Sequence, residues 1–308
     1  MQTTANLLMI KPVAFGLNSQ TLESNTFQNQ QASQVNVQQN AAKEFDDFVE
    51  ILRSHKINVL VIEDTLIPNT PDSIFPNNWI SFHEDGTIFL YPMQAENRRL
   101  ERRTDLITEI KKQFKVSKIE DLSVLEKEGV YLEGTGSLVL DRDHQLAYAC
   151  LSIRTQEKAL EEFSKRSGYK VIKFHAFDQT GIAIYHTNVM MCVAEKFVVI
   201  CLDSISNQNE KTALIAAIKQ TNKEIIPITL AQMNQFAGNM LAVKNTENQS
   251  FLLMSKSAYQ ALTEEQIESI SKYSPIIYSS LNTIEENGGG SARCMMAEIH
   301  LPMLEQLT

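Results

Sequence analysis

The sequence is poor in cysteine: Cys150, Cys192, Cys201 and Cys294 are the only four in 308 residues, and no two form a C-x-x-C pair. Disulfide frameworks and structural zinc sites rest on closely spaced cysteines, so four free thiols are expected. The six histidines also lack metal-ligand spacing, and no metal or cofactor is expected. Positive charge is scarce as well. Lys and Arg number 28 against 37 Asp and Glu, a formal charge of -9, and no basic stripe with interleaved aromatics appears. A phosphate-binding surface, and hence a nucleic-acid partner, is disfavoured. Long apolar runs are missing too. The opening MQTTANLLMIKPVAF holds only the short run LLMI, too brief for a signal peptide, and nothing later would span a bilayer, so a cytoplasmic location without membrane contact is expected. Neither GxGxxG nor GxxxxGK[ST] follows any apparent strand, which removes the fingerprint of a doubly wound nucleotide fold.

What remains is a chain with 43% apolar residues, enough for a substantial core, and no Pro/Gly-rich or charged boundary dividing it. One α/β domain over 1–308 is expected. Residues 18–42 are rich in Asn, Gln, Ser and Thr and read as a long surface connection. After it, Phe45, Phe48, Val49 and Leu52 fall at i, i+3, i+4 and i+7, which predicts a helix over 42–55. Strands INVLVIED and TIFLYP follow, then a helix through NRRLERRTDLITEIKKQF, strands GSLVLD and LAYACLS, and a helix in TQEKALEEFSKRSG. The stretch HTNVMMCVAEKFVVICLD predicts a hairpin turning at 194–196, with a helix around 211–221 after it. Strands LAVK and FLLMS, a helix opened by Thr263 with Gln266 as a capping box, and PIIYSSL complete the pattern. About five strand-rich units, each with a helix, can be counted, although no clean sequence repeat is visible.

Four stretches could carry chemistry. GGGSARCMMAEI places Cys294 after a glycine run whose exposed amides could lower a thiol pKa or hold a developing negative charge; a turn before a buried thiol is the alternative. His186 and Asn188 share an i, i+2 spacing at the head of HTNVMMCV and would face one side of a strand. Glu133, in VYLEGTGSLVLD, could orient a histidine or hold a substrate nitrogen, or mark an exposed turn. PDSIFPNNWISF holds the only Trp and the pair Asn77 and Asn78, which could also be plain turn formers after Pro76.

Together these stretches resemble the guanidino-group-modifying superfamily of arginine deiminases, dimethylarginine hydrolases and amidinotransferases. The order agrees: F-x-x-N beginning at Phe75, Glu133 with Gly134, His186, and a glycine-rich loop ending in Cys294. KPVAFGLNSQTLESNTFQ resembles the start of the citrulline-hydrolysing branch. ENRRLE and SIRT are similar to dimethylarginine hydrolase stretches whose arginines bind the amino acid's carboxylate, so the resemblance nominates Arg98 or Arg99 and Arg154.

The resemblance implies a five-bladed pseudo-symmetric α/β propeller, a Cys294–His186–Glu133 catalytic set and a small amino-acid substrate, with Phe75, Asn77, Asn78 and Asn188 lining its site. Homo-oligomer formation is left open. Two departures matter. Arginine deiminases have F-x-R-D and H-x-D where this chain has Phe75-Pro76-Asn77-Asn78 and His186-Thr187-Asn188. Asn donates and accepts, which suits a neutral ureido group, whereas a buried guanidinium between two amides would lack compensating charge. The expectation is therefore citrulline hydrolysis to ornithine, carbon dioxide and ammonia, with a guanidino substrate (arginine or a methylated arginine) as the alternative.

Overall fold

The computed structural model describes residues 1–22, 25, 27–29, 31 and 35–304. Within them fifteen strands form five three-stranded mixed sheets of one design. The first sheet contains Ile80–Phe82, Thr87–Leu90 and Lys118–Asp121, and the second Val139–Asp141, Leu146–Cys150 and Lys170–Phe174. The third contains Met191–Val193, Phe197–Ile200 and Glu224–Pro227, and the fourth Leu241–Lys244, Ser250–Ser255 and Ile276–Ser279. In each, a hairpin pairs the first two strands antiparallel, and a helical crossover returns the third parallel to the second. Parallel neighbours need such a crossover, which explains why each unit carries at least one helix.

The fifth sheet joins the two ends of the chain. Ala297–Glu298 pairs antiparallel with Asn6–Lys11, and Asn6–Lys11 pairs parallel with Asn58–Glu63. The result is the five-bladed α/β propeller, closed by this pairing of an early strand with a late one. Sequence self-similarity had been too faint to show it, yet the repeated topology is plain.

The crossover helices follow their apolar spacing. Val37–Ser54 buries Phe45, Phe48, Val49 and Leu52, and removing side chains of this size from water stabilises by roughly 1.5–3 kcal/mol each. Glu157–Ser167 buries Ala159, Leu160 and Phe163 and stops at Gly168, which adopts the left-handed conformation. The predicted box at Thr263 forms: its hydroxyl accepts from the Gln266 amide at 3.3 Å, and Gln266 Oε1 accepts from the Thr263 amide at 2.9 Å.

Two expectations need correction. The single helix expected through 97–114 is broken into Glu96–Arg99 and Thr104–Lys111. Three arginines pull this stretch in different directions, Arg98 to buried Glu101, Arg102 to Glu126, and Arg103 to Asp64 and Asp105. His186 opens no strand: it precedes a one-turn 3-10 helix, Thr187–Val189, and the strand begins only at Met191. The shared strand face expected for His186 and Asn188 is therefore absent, although both reach the same site.

Candidate functional site

Each unit's first strand is short and almost wholly buried, and the chain enters it through a tight turn. Asn78 lies two residues before Ile80–Phe82, Ser137 two before Val139–Asp141, and Asn239 two before Leu241–Lys244; Asn188 and Cys294 lie three before theirs. Pseudo-symmetry thus delivers residues from distant parts of the chain to one end of the propeller.

Cys294 is buried, and two side-chain amides point at its sulfur. Asn188 Nδ2 donates at 3.5 Å and Asn239 Nδ2 at 3.3 Å. Asn188 Oδ1 has no hydrogen-bond partner among the described residues, although it is buried. Such an atom carries a desolvation cost unless a ligand satisfies it. Part of the glycine loop's donor capacity is already engaged. The amides of Gly289, Arg293 and Cys294 already donate, to Glu285 O, Asn239 Oδ1 and Ser291 O. They are taken because the loop caps the helix Asn282–Gly288 and then turns at once. The donors recorded at the sulfur are side-chain amides.

Glu133 is fully buried, and its Oε2 lies 2.8 Å from His186 Nε2. Arg154 Nη1 and Arg98 Nη1 approach the same oxygen at 3.5 and 3.9 Å. Burial pushes the Glu133 pKa up, but Arg154, the His186 hydrogen bond and Arg98 together hold it well below the usual carboxylate range. For His186, burial outweighs the attraction of Glu133 and lowers the pKa to about 4. The resting imidazole is therefore neutral near pH 7 and able to take a proton. The turn bearing Glu133 needs glycine next. Gly134 has φ +46°, and a Cβ there would lie 2.3 Å from Asn77 O.

Arg98 donates to both Glu101 oxygens, at 2.8 and 2.9 Å, and to Asn78 Oδ1 at 2.8 Å. Asn78 Nδ2 in turn donates to Asn77 Oδ1 at 3.0 Å. The pair Asn77 and Asn78 is thus more than a surface turn, being buried in this network, although Asn77 itself does not line the cavity. Arg99 faces elsewhere, donating to the Met93 and Gln94 carbonyls. Arg154 lies 5.0 Å from the Tyr185 ring centre, a cation–π contact that holds it beside the cavity.

Phe75, Asn78, Arg98, Arg154, His186 and Cys294 line one cavity, together with the glycine loop and three residues that sequence reasoning passed over, Asp72, Asn25 and Tyr185. Asp72 Oδ2 accepts from Asn18 Nδ2 at 2.7 Å, whereas Oδ1 is buried without a hydrogen-bond partner among the described residues. Burial raises the Asp72 pKa against the opposing pull of Arg98 and the Asn18 bond. The described part of 18–42 is also not mere surface. Asn25 Nδ2 donates to Gly288 O at 3.2 Å, Gln28 Nε2 to Asn287 O at 3.2 Å, and Arg154 Nη2 to Thr21 O at 3.4 Å. This wall leaves a cavity of about 10 Å³ beside the cysteine, room for roughly one water. Larger cavities, of about 540 and 700 Å³, are not lined by Cys294, His186 or Glu133.

The model of the family "N,N dimethylarginine dimethylhydrolase, eukaryotic" matches residues 11–301. The chain belongs to this family. The guanidino-group-modifying superfamily inferred from the four short stretches is thereby established. No curated protein matches in sequence. Solved structures share the fold at low identity. The N-terminal domain of ArgZ bound to product, an arginine dihydrolase from the ornithine-ammonia cycle in cyanobacteria, aligns with a TM-score of 0.75 and 14% identity over 97% of this chain and 98% of that one. DDAH from Pseudomonas aeruginosa, a cysteine-to-serine mutant complexed with citrulline, aligns with a TM-score of 0.66 and 14% identity over 97% and 100% of the two chains. AgrE in complex with ornithine and NAD+ gives 0.74 and 15%, covering 98% of this chain and 40% of that one. The match spans 41% of full-length ArgZ as well, so this chain corresponds to one portion of those longer proteins. Among the described residues, no helix is long and apolar enough to cross a membrane and no metal-binding cluster of His, Cys, Asp and Glu occurs.

Proposed function

We propose that the chain is a cysteine hydrolase that cleaves the ureido C–N bond of citrulline, yielding ornithine, carbon dioxide and ammonia. The observation that carries this reading is the neutral pair of amides at the nucleophile, with the Asn188 carbonyl oxygen buried and without a hydrogen-bond partner among the described residues. A ureido group offers N–H donors to that oxygen, while its own carbonyl can accept from an amide.

His186, neutral at rest and paired with Glu133, first takes the Cys294 proton. The thiolate attacks the ureido carbon and forms an S–C bond, and the resulting oxyanion is held by N–H donors. Collapse breaks the bond to the side-chain nitrogen, which leaves as ornithine with the proton held by His186. A carbamoyl thioester remains on Cys294. His186 then deprotonates water, whose attack releases carbamate and returns the sulfur as a leaving group; carbamate decomposes to carbon dioxide and ammonia. Glu133 fixes the imidazole and steadies its cation. Arg154, backed by Arg98, binds the substrate carboxylate, and Asp72 Oδ1 suits its α-ammonium. Phe75, packed on the glycine loop, and Asn78 complete the wall of the cavity.

One observation favours a second reading. Asp72 is a carboxylate in the same cavity with one oxygen that has no hydrogen-bond partner among the described residues, and it could balance a guanidinium. A guanidino substrate such as arginine or a methylated arginine would then be hydrolysed at the same cysteine. The first test is Cys294→Ser. The variant should fold with the wild-type unfolding curve and lose citrulline turnover; full activity would refute the mechanism.

A further inference from the structure

We propose that Asn239, the contribution of the fourth unit, is a catalytic residue that donates a hydrogen bond to the Cys294 thiolate. This rests on the reading of Cys294 as nucleophile but not on the identity of the substrate. Asn239 is fully buried, and its two amide hydrogens have two acceptors, Cys294 Sγ at 3.3 Å and the Asn188 backbone oxygen at 3.0 Å. Its Oδ1 accepts from the Arg293 amide at 3.1 Å, which fixes the residue next to the nucleophile. All of the side chain's polar atoms are therefore committed to the nucleophile and its two neighbours.

The local backbone is shaped for this approach. Phe236 adopts φ 61°, and a Cβ on Gly238 would lie 2.3 Å from Val189 O, so only glycine lets this turn press against the turn bearing Asn188. The placement also follows the propeller's own logic, because Asn239 stands two residues before its inner strand, as Asn78 does, while Asn188 and Cys294 stand three before theirs.

An N–H aimed at sulfur favours the thiolate over the thiol, since charge-assisted hydrogen bonds are the stronger ones. It acts twice in the cycle: when the thiol gives up its proton, and when the S–C bond breaks and the electron pair returns to sulfur. Other groups share the cavity, namely His186, Asp72, Arg98, Arg154 and Tyr185, with Glu133 behind His186. Variants at Asn239 leave all of them in place, so a change at the thiol reports Asn239.

The test is the pH dependence of iodoacetamide alkylation at Cys294, located by peptide mass, in wild type, Asn239→Asp and Asn239→Ser. Asp keeps the acceptor for the Arg293 amide but also brings a carboxylate to the sulfur, whose charge alone would raise the thiol pKa, so the neutral Asn239→Ser variant decides the test. In either variant that retains the wild-type unfolding transition, the apparent thiol pKa should rise by about one unit or more. Turnover should fall about 10-fold to 100-fold in kcat, with KM little changed. An unchanged alkylation profile in a folded variant overturns the proposal, as does retention of full kcat. If wild-type Cys294 is alkylated no faster than Cys150, it is the nucleophile assignment that fails, and the Asn239 proposal with it.

Discussion

Replacing Glu133 with Gln removes one negative charge from the centre of the site, keeps the shape and exchanges one accepting oxygen for an N–H donor. Arg154 and Arg98 lie 3.5 and 3.9 Å from Glu133 Oε2. Each is attracted by about 4 kcal/mol at an effective dielectric constant of about 20. The loss is smaller than the sum, because the substitution also removes the carboxylate's own desolvation penalty and because Arg98 keeps Glu101. Breaking a buried pair from one side typically costs about 3–5 kcal/mol, and in a chain of this size roughly 2 °C of Tm accompanies each kcal/mol. Urea and thermal unfolding should therefore show a fall of about 6–10 °C. Citrulline turnover should drop further than stability alone explains, since the His186 imidazolium loses its counterion. A variant within about 1 kcal/mol of wild type and fully active would show that Glu133 neither balances the arginines nor serves His186.

Two other outcomes follow from the same geometry. His186 and His300 both have pKa values lowered to about 4 by burial, against an ordinary value of 6.5. The unfolded chain then binds more protons between pH 6.5 and 4, so stability rises with pH: their contribution is complete above 6.5 and lost as pH falls toward 4, at roughly 3 kcal/mol each. Glu101, raised to about 7 by burial, acts in the opposite sense, losing its contribution between 4.5 and 7, as do Asp72, Glu44 and Glu285, also raised by burial. Buried His83, lowered well below its ordinary value, adds to the two histidines. The urea midpoint should be lower at pH 5 than at pH 7, and a higher midpoint at pH 5 would contradict these assignments. Gly134→Ala, which forces a Cβ against Asn77 O, should cost about 2 kcal/mol or more and displace Glu133; unchanged unfolding and turnover would refute that steric account.

Much of the fold could be read from the sequence where a single element explains its own pattern. Phe45, Phe48, Val49 and Leu52 are buried as their spacing required, and the hairpin at 194–196 forms. The broken helix at Leu100–Arg103 was illegible because much of the cause is tertiary: Asp72, Glu126 and Asp64, all distant in sequence, engage Arg98, Arg102 and Arg103. At the site, chemically distinctive residues stood out. Asn239 and Asp72 did not, since a single Asn before an apolar strand, or an Asp before Ser73, looks like ordinary turn chemistry. A signal was nevertheless present: in NWISF, SLVLD, NVMMCV, NMLAVK and CMMAEI a site residue stands just before an apolar strand. The glycine loop was partly opaque for a related reason, since sequence cannot show that the Gly289 and Cys294 amides donate within their own turn and the Arg293 amide to Asn239 Oδ1.

The central claim is that two neutral amides beside the nucleophile select a ureido over a guanidinium carbon. The most direct measurement is a paired assay of citrulline and arginine with the same enzyme, following ornithine, citrulline and ammonia. The account predicts one ammonia and one ornithine per citrulline consumed, with arginine turned over far more slowly. Rapid consumption of arginine with accumulation of citrulline, and no ornithine from citrulline, would contradict it.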